Sequence, residues 1–223
     1  MFNVESTLLS LAAQRPLFHS EADFQHAFAW RIHEIASTAK VRLEYKPFPD
    51  ERIFADLWIV EQDGITAIEL KYLTGACDAF VGGERFAIRH QGAVDLGRYD
   101  ILKDLVRMER VVEHFPGSRG FVIALTNEPA YWRPALRTTT VDAAFRIHDG
   151  QTVAGALSWA AHTGGTMRGR ERSLEIRGTY MIQWKDYSAV PDVRLGTFKY
   201  LLLPALPDTR TALSSDHGWG AAD

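Results

Sequence analysis

The sequence predicts an α/β fold: an αβββαβ core with a mixed central sheet flanked by helices, followed by a β-rich C-terminal extension. Three observations carry that prediction. Phe24, Phe28 and Ile32 recur at helical spacing ahead of three short stretches that read as strands. Those stretches are joined by connections short enough to make them antiparallel neighbours. A long amphipathic segment, "VDLGRYDILKDLVRMERVVEHF", then leads into "GFVIALT", which is apolar throughout, as expected of a strand covered on both faces.

Each element has its own signal. Ser20 is placed as an N-cap, with Asp23 three residues on as its capping-box partner. Phe24, Phe28, Ile32 and Ile35 then define one amphipathic helix from about Glu21 to Thr38. Glu21 precedes Phe24 by three residues and Phe28 by seven, so it belongs to the buried face. "VRLEYKPF" alternates, with Val41, Leu43 and Tyr45 on one side, and predicts a half-buried strand. A loop over Pro47 to Arg52 leads to "IFADLWIV", the Asp63-Gly64 turn and "TAIELKY". Gly82-Gly83 centres a small hairpin. Ile101, Leu105, Met108, Val112 and Phe115 share one helical face, and Pro116-Gly117 stops that helix. The strand beyond it returns parallel by a right-handed crossover. Ala154 to Ala161 predicts a short helix, and "YMIQWKDYS" and "FKYLLLPAL" one strand each. The chain therefore divides into an N-terminal segment (1–19), a core (20–127), an extension packed on it (128–207) and a small polar tail (208–223) expected to lack fixed structure.

Composition excludes several classes. With 46% hydrophobic residues, the 223-residue chain can bury a sizeable core. No apolar run reaches the length of a membrane span, and the first residues lack the charged start and apolar centre of a signal peptide. A single cysteine, Cys77, rules out an internal disulfide and suits a reducing cytoplasm, the expected location. A net charge of −3 means that any nucleic-acid partner must meet a local basic surface. The eight histidines show no H-x-x-x-H spacing, so zinc is not supported; no P-loop or nucleophile elbow is present either.

Three charges stand where apolar residues are expected. Asp56 heads the strand "ADLWIV", and Glu69 and Lys71 lie on one face of "TAIELKY". Buried charges are costly unless partnered. If the strands pair as read, Asp56 approaches Glu69, and two adjacent carboxylates resist ionisation. A divalent cation with hard oxygen ligands, magnesium or manganese, removes that conflict. A lysine beside it can orient or deprotonate a water, or stabilise negative charge as a phosphodiester is attacked. The bland alternative is a structural ion pair.

A helix with Glu, a strand, a strand with Asp, a strand with Glu-x-Lys, a helix and a buried strand together resemble the PD-(D/E)XK nucleases, the restriction-endonuclease-like fold. The matching residues are Asp56, Glu69 and Lys71, written "AD" and "IELKY", with Glu21 matching the acidic residue many members carry on the first helix. The resemblance spans roughly Ser20 to Asn127. It implies a magnesium-dependent phosphodiesterase acting on nucleic acid, DNA first, with manganese as substitute. It also implies Asp56, Glu69 and the Leu70 carbonyl as metal ligands, Lys71 positioning water and Glu21 supporting the site. Restriction, phage defence or repair fit that resemblance, as does either a homodimer or a complex with another defence or repair protein. A catalytically silent binding or assembly subunit on the same fold is the alternative. Pro49-Asp50 spells the family's literal motif, but Asp50 sits in the polar turn "PFPDER", whereas Asp56 precedes a stretch that can pair as a strand.

From Arg133 to Arg177 there are seven arginines against four acidic residues. "MRGRERS" gathers Arg168, Arg170 and Arg172 into a loop suited to phosphate oxygens. On the crossover helix, Tyr99 and Lys103 are further nucleic-acid candidates. Its other charges, among them Asp104, Arg107, Glu109 and Arg110, are expected to pair along the helix.

Overall fold

The computed structural model describes residues 1–161 and 167–205. The tail expected over 208–223 lies outside them. Asn3 opens α1 (Val4–Ala12), its side-chain oxygen accepting from Ser6 N–H at 2.8 Å. The sequence pattern had assigned this segment no element. Ser20 caps α2 (Glu21–Ile35) by accepting from Asp23 N–H. The Asp23 carboxylate does not return to Ser20; it accepts from His19 N–H at 3.0 Å and pairs with Arg15. The chain leaves helical geometry at Ala36, short of Thr38, so Ile35 stays exposed instead of joining the buried face.

The next strands form the expected meander: β1 (Lys40–Tyr45), β2 (Ala55–Glu61) and β3 (Gly64–Leu73), antiparallel throughout. β1 is not half-buried. It is the outermost strand, covered from one side only, and Leu43 and Tyr45 are exposed. The hairpin of β4 (Cys77–Val81) and β5 (Glu84–Ile88) turns at Gly82 and Gly83, both at positive φ, as a tight hairpin turn requires. The crossover helix α3 (Val94–His114) delivers β6 (Arg119–Thr126) parallel to β3.

The C-terminal part departs from expectation twice. The segment predicted as a helix is β7 (Thr152–Leu157), paired with β8 (Leu174–Met181) in a separate ribbon. Gly155 sits at φ 71° where the register shifts, a backbone state a helix cannot contain. "YMIQWKDYS" is also not one strand. The ladder breaks at Ile182, whose N–H and C=O bond to Gln151 and Gly150, so β8 stays in the ribbon and β9 (Trp184–Ala189) joins the main sheet. β10 (Thr197–Ala205) completes a mixed sheet of order β1-β2-β3-β6-β10-β9.

Alternation along the central strands separates two cores. Ile68, Leu70 and Tyr72 of β3 and Ile123 and Leu125 of β6 face α1 and α2. Ala67, Val122 and Ala124 face α3 and the β7–β8 ribbon. Glu69 and Lys71 share the side of Ala67, under α3. No helix among the described residues is long and apolar enough to cross a membrane.

Candidate active site

The site begins where β2 and β3 part company. Their last paired residues before the break are Leu57 and Ile68, which sets Asp56 opposite Glu69. Beyond this point β3 still presents the N–H groups of Leu70 and Tyr72 toward the missing neighbour. Two carboxylates replace the strand. Asp56 Oδ2 accepts from Leu70 N–H at 2.6 Å, and Glu21 Oε2 accepts from Tyr72 N–H at 2.8 Å. Glu21 reaches this position from the first turn of α2, the place its spacing from Phe24 and Phe28 indicated. Gln25, one turn further, donates to the Asp56 carbonyl and to Glu44, tying α2, β1 and β2 together at the break.

Under α3, Glu69 is 2% exposed. Its one ion-pair partner among the described residues is Arg107, at 3.3 Å. Lys71 Nζ lies 2.8 Å from Asp104 Oδ2 and 3.2 Å from the Leu70 carbonyl oxygen. Asp104 in turn meets Arg107 at 3.0 Å. The expectation of pairing within the helix therefore needs correcting. Asp104 and Arg107 do pair, but both also reach β3. Arg110 pairs with Glu51 and Arg170 with Asp100, again off the helix. A helix packed flat on a sheet offers its charges nearer partners there than along its own axis.

Four carboxylates (Glu21, Asp56, Glu69, Asp104) thus meet two cations (Lys71, Arg107). The excess shows in their proton affinities. Burial raises Asp56 to about 6, with the Asp104 and Glu21 charges adding to it against the Leu70 N–H and Lys71. Burial, then Asp104 and Asp56, push Glu69 well above the usual carboxylate range. Burial alone would pull Lys71 down, but Asp104, Glu21 and Asp56 outweigh it and keep the ammonium firmly charged.

Among the described residues, no three Asp, Glu, His or Cys side chains stand together as a ready metal cage. Asp56, Glu69 and the Leu70 carbonyl offer only oxygen atoms there, the ligand type that a hard divalent cation takes. Magnesium is commonly held by one or two carboxylates with water completing its shell.

The remaining expected contacts lie elsewhere. Asp50 is exposed in a turn. Tyr99 is not a surface ring: it packs on Phe145 and Trp159 and donates its hydroxyl to the Arg172 carbonyl. Arg170 grips Asp100 with two hydrogen bonds, one turn before Asp104, so the arginine loop docks on α3 beside the cluster. Arg168 and Arg172 point their charge at solvent, and Lys103 is half-buried. Asp104, Arg107 and Gln25 are the residues that sequence reasoning left out of the site. Asp104 follows Asp100 by one helical turn on a buried face, a carboxylate at a core position like Glu69 itself.

Compared with known proteins, the chain matches no family model, no curated protein and no solved structure.

Proposed function

We propose that this protein is a metal-dependent nuclease on a restriction-endonuclease-like core, hydrolysing phosphodiester bonds of nucleic acid, with DNA as the first candidate substrate. The observation that carries the reading is the cluster at the β2–β3 break: Asp56, Glu69, Lys71 and the Leu70 carbonyl on the two adjacent strands, joined by Glu21 from α2 and by Asp104 and Arg107 from α3. Asp56, Glu69 and the Leu70 carbonyl would hold magnesium or manganese. Bound there, the ion supplies the missing positive charge and acidifies water at neutral pH. Asp104, Glu21 and Asp56 favour the charged form of Lys71. Its role is to donate a hydrogen bond and stabilise charge on the phosphate. Glu21 fixes the end of β3 through Tyr72 N–H and adds negative potential. Attack of water in line forms a new P–O bond as the bond to O3′ breaks, giving a 5′-phosphate and a 3′-hydroxyl, as the family resemblance implies.

One observation favours a second reading. Lys71 and Glu69 already have protein partners in Asp104 and Arg107, as a catalytically silent binding or assembly subunit would arrange them. Cleavage of plasmid, single-stranded DNA and RNA with magnesium separates the two. The nuclease reading expects cleavage by wild type and Asp50→Asn, and loss of at least about a hundredfold in Asp56→Asn and Lys71→Ala. Wild-type protein inert on all three substrates with either metal would hand the fold to the silent reading.

A further inference from the structure

Trp30 is the most conspicuous surface residue of α2: the ring is 66% exposed, an unusual position for the largest side chain. Its Nε1 donates to Glu34 at 2.9 Å, which pins the ring edge, and the His33 ring stands 5.8 Å away, tilted 51° to it. Beside it runs a groove of about 640 Å³ between α2 and the edge strand β1. His26, Trp30 and His33 line one wall, and Lys40, Arg42 and Leu43 the other. Neither Lys40 nor Arg42 makes an ion pair among the described residues; Arg42 reaches only the neighbouring Val41 carbonyl. The groove thus combines an exposed aromatic residue, an apolar floor and two cations without an ion-pair partner among the described residues.

Its position adds to this. One turn from its near end, Gln25 joins Glu44 to the Asp56 carbonyl. Trp30 lies nine residues beyond Glu21, roughly 13 Å along the helix. The groove therefore lies further along α2 from Glu21, which caps the end of β3, and on the face of the sheet opposite Glu69 and Lys71.

We infer that this groove binds a single-stranded segment of nucleic acid, a base stacking on Trp30 and phosphates meeting Lys40 and Arg42. Stacking on an exposed ring needs an unpaired base, and cations along one wall suit the backbone. A second copy of the chain is a poorer occupant. Edge pairing needs a regular strand, but Glu44 sits at φ 49° and breaks the pleat. Leu43 pairs with Leu57 on the α2 side, whereas Tyr45 stacks on Trp58 on the other. Charged Lys40 and Arg42 on the edge further discourage strand addition.

The inference deepens the nuclease reading and rests on it for the substrate class, but it is tested without metal or cleavage. Labelled single-stranded DNA, single-stranded RNA of the same sequence and duplex DNA are titrated in chelator and followed by anisotropy. Wild type should prefer a single strand to the duplex, and the DNA and RNA arms show which sugar is taken. Trp30→Ala should weaken single-strand binding about tenfold, while Trp30→Phe keeps most of it. Lys40→Gln with Arg42→Gln should weaken binding and flatten its dependence on salt. The three positions are exposed, and circular dichroism of each variant checks folding. Unchanged affinity in Trp30→Ala overturns the inference even if the protein is an active nuclease. So does a wild-type dimer that Trp30→Ala splits without altering affinity. Loss of binding in Trp30→Ala stands even if wild type never cleaves, which would sink the nuclease reading alone.

Discussion

Glu109 and Glu69 are each 2% exposed, yet the two carboxylates are surrounded in opposite ways. Glu109 projects from α3 into the β7–β8 ribbon and collects donors: the N–H groups of Arg177 and Gly178 and the Tyr180 hydroxyl, at 2.8 to 3.1 Å. Glu69 has one guanidinium at 3.3 Å and the carboxylates of Asp104 and Asp56 pressing on it. The first arrangement satisfies a buried charge and fastens a ribbon to a helix. The second ties α3 to β3 through a single guanidinium and leaves negative charge in excess. A carboxylate that gathers donors is explained by the fold; one that gathers other carboxylates calls for a ligand.

Substitution at the two positions should therefore part company. Glu109→Ala removes the acceptor of two part-buried N–H groups and of the buried Tyr180 hydroxyl, and should cost about 2 kcal/mol or more by denaturant unfolding. Glu69→Gln removes repulsion, and in chelator at neutral pH the apoprotein should be as stable as wild type or more so, because Arg107 keeps Asp104. A Glu109→Ala protein of wild-type stability, or a strongly destabilised Glu69→Gln, would erase the distinction.

Metal sharpens it. Manganese or magnesium at about 100 times the dissociation constant should stabilise wild type by roughly 2.7 kcal/mol, read as a rise in Tm. Glu69→Gln should lose most of that gain, while a Glu109 variant that still folds should keep it. A metal-insensitive wild type would mean that Arg107 and Lys71 are all the balance this cluster needs.

The pH dependence is the smallest effect. The folded-state pKa of Asp56, about 6, lies above its ordinary value of 3.8. The folded state therefore holds this proton more tightly than the unfolded chain. Its contribution is complete below the ordinary value and is lost as pH rises through about 6. Between about pH 4 and pH 6 the apoprotein should lose on the order of 2 kcal/mol relative to Asp56→Asn. Parallel curves for the two proteins would show that Asp56 ionises freely.

Much of this was legible without coordinates, because it depends on neighbours in sequence. Helical spacing placed Glu21 on the buried side of α2, and period-two alternation put Glu69 and Lys71 on one face. The turn signals placed two hairpins, at Gly82-Gly83 as read and, one residue before the expected Asp63-Gly64, at Gln62-Asp63, with Gly64 already paired in β3. The α/β class and mixed sheet followed from such local rules. The errors came where long-range contacts decide. Ala154 to Ala161 has helix-forming alanines, but pairing with β8 and the backbone state of Gly155 make it a strand. Val41, Leu43 and Tyr45 alternate like a half-buried strand, but burial depends on which strand ends the sheet. The ends of β2 and β3 are likewise a tertiary matter. Only there does Asp56 become a cap for Leu70 N–H, and only the packing of α3 brings Asp104 and Arg107 to Lys71 and Glu69. The sequence by itself determined which charges would be buried, since periodicity sets the face on which each residue lies. The tertiary structure decided their company, since an ion's partners are set by distance in space and not along the chain.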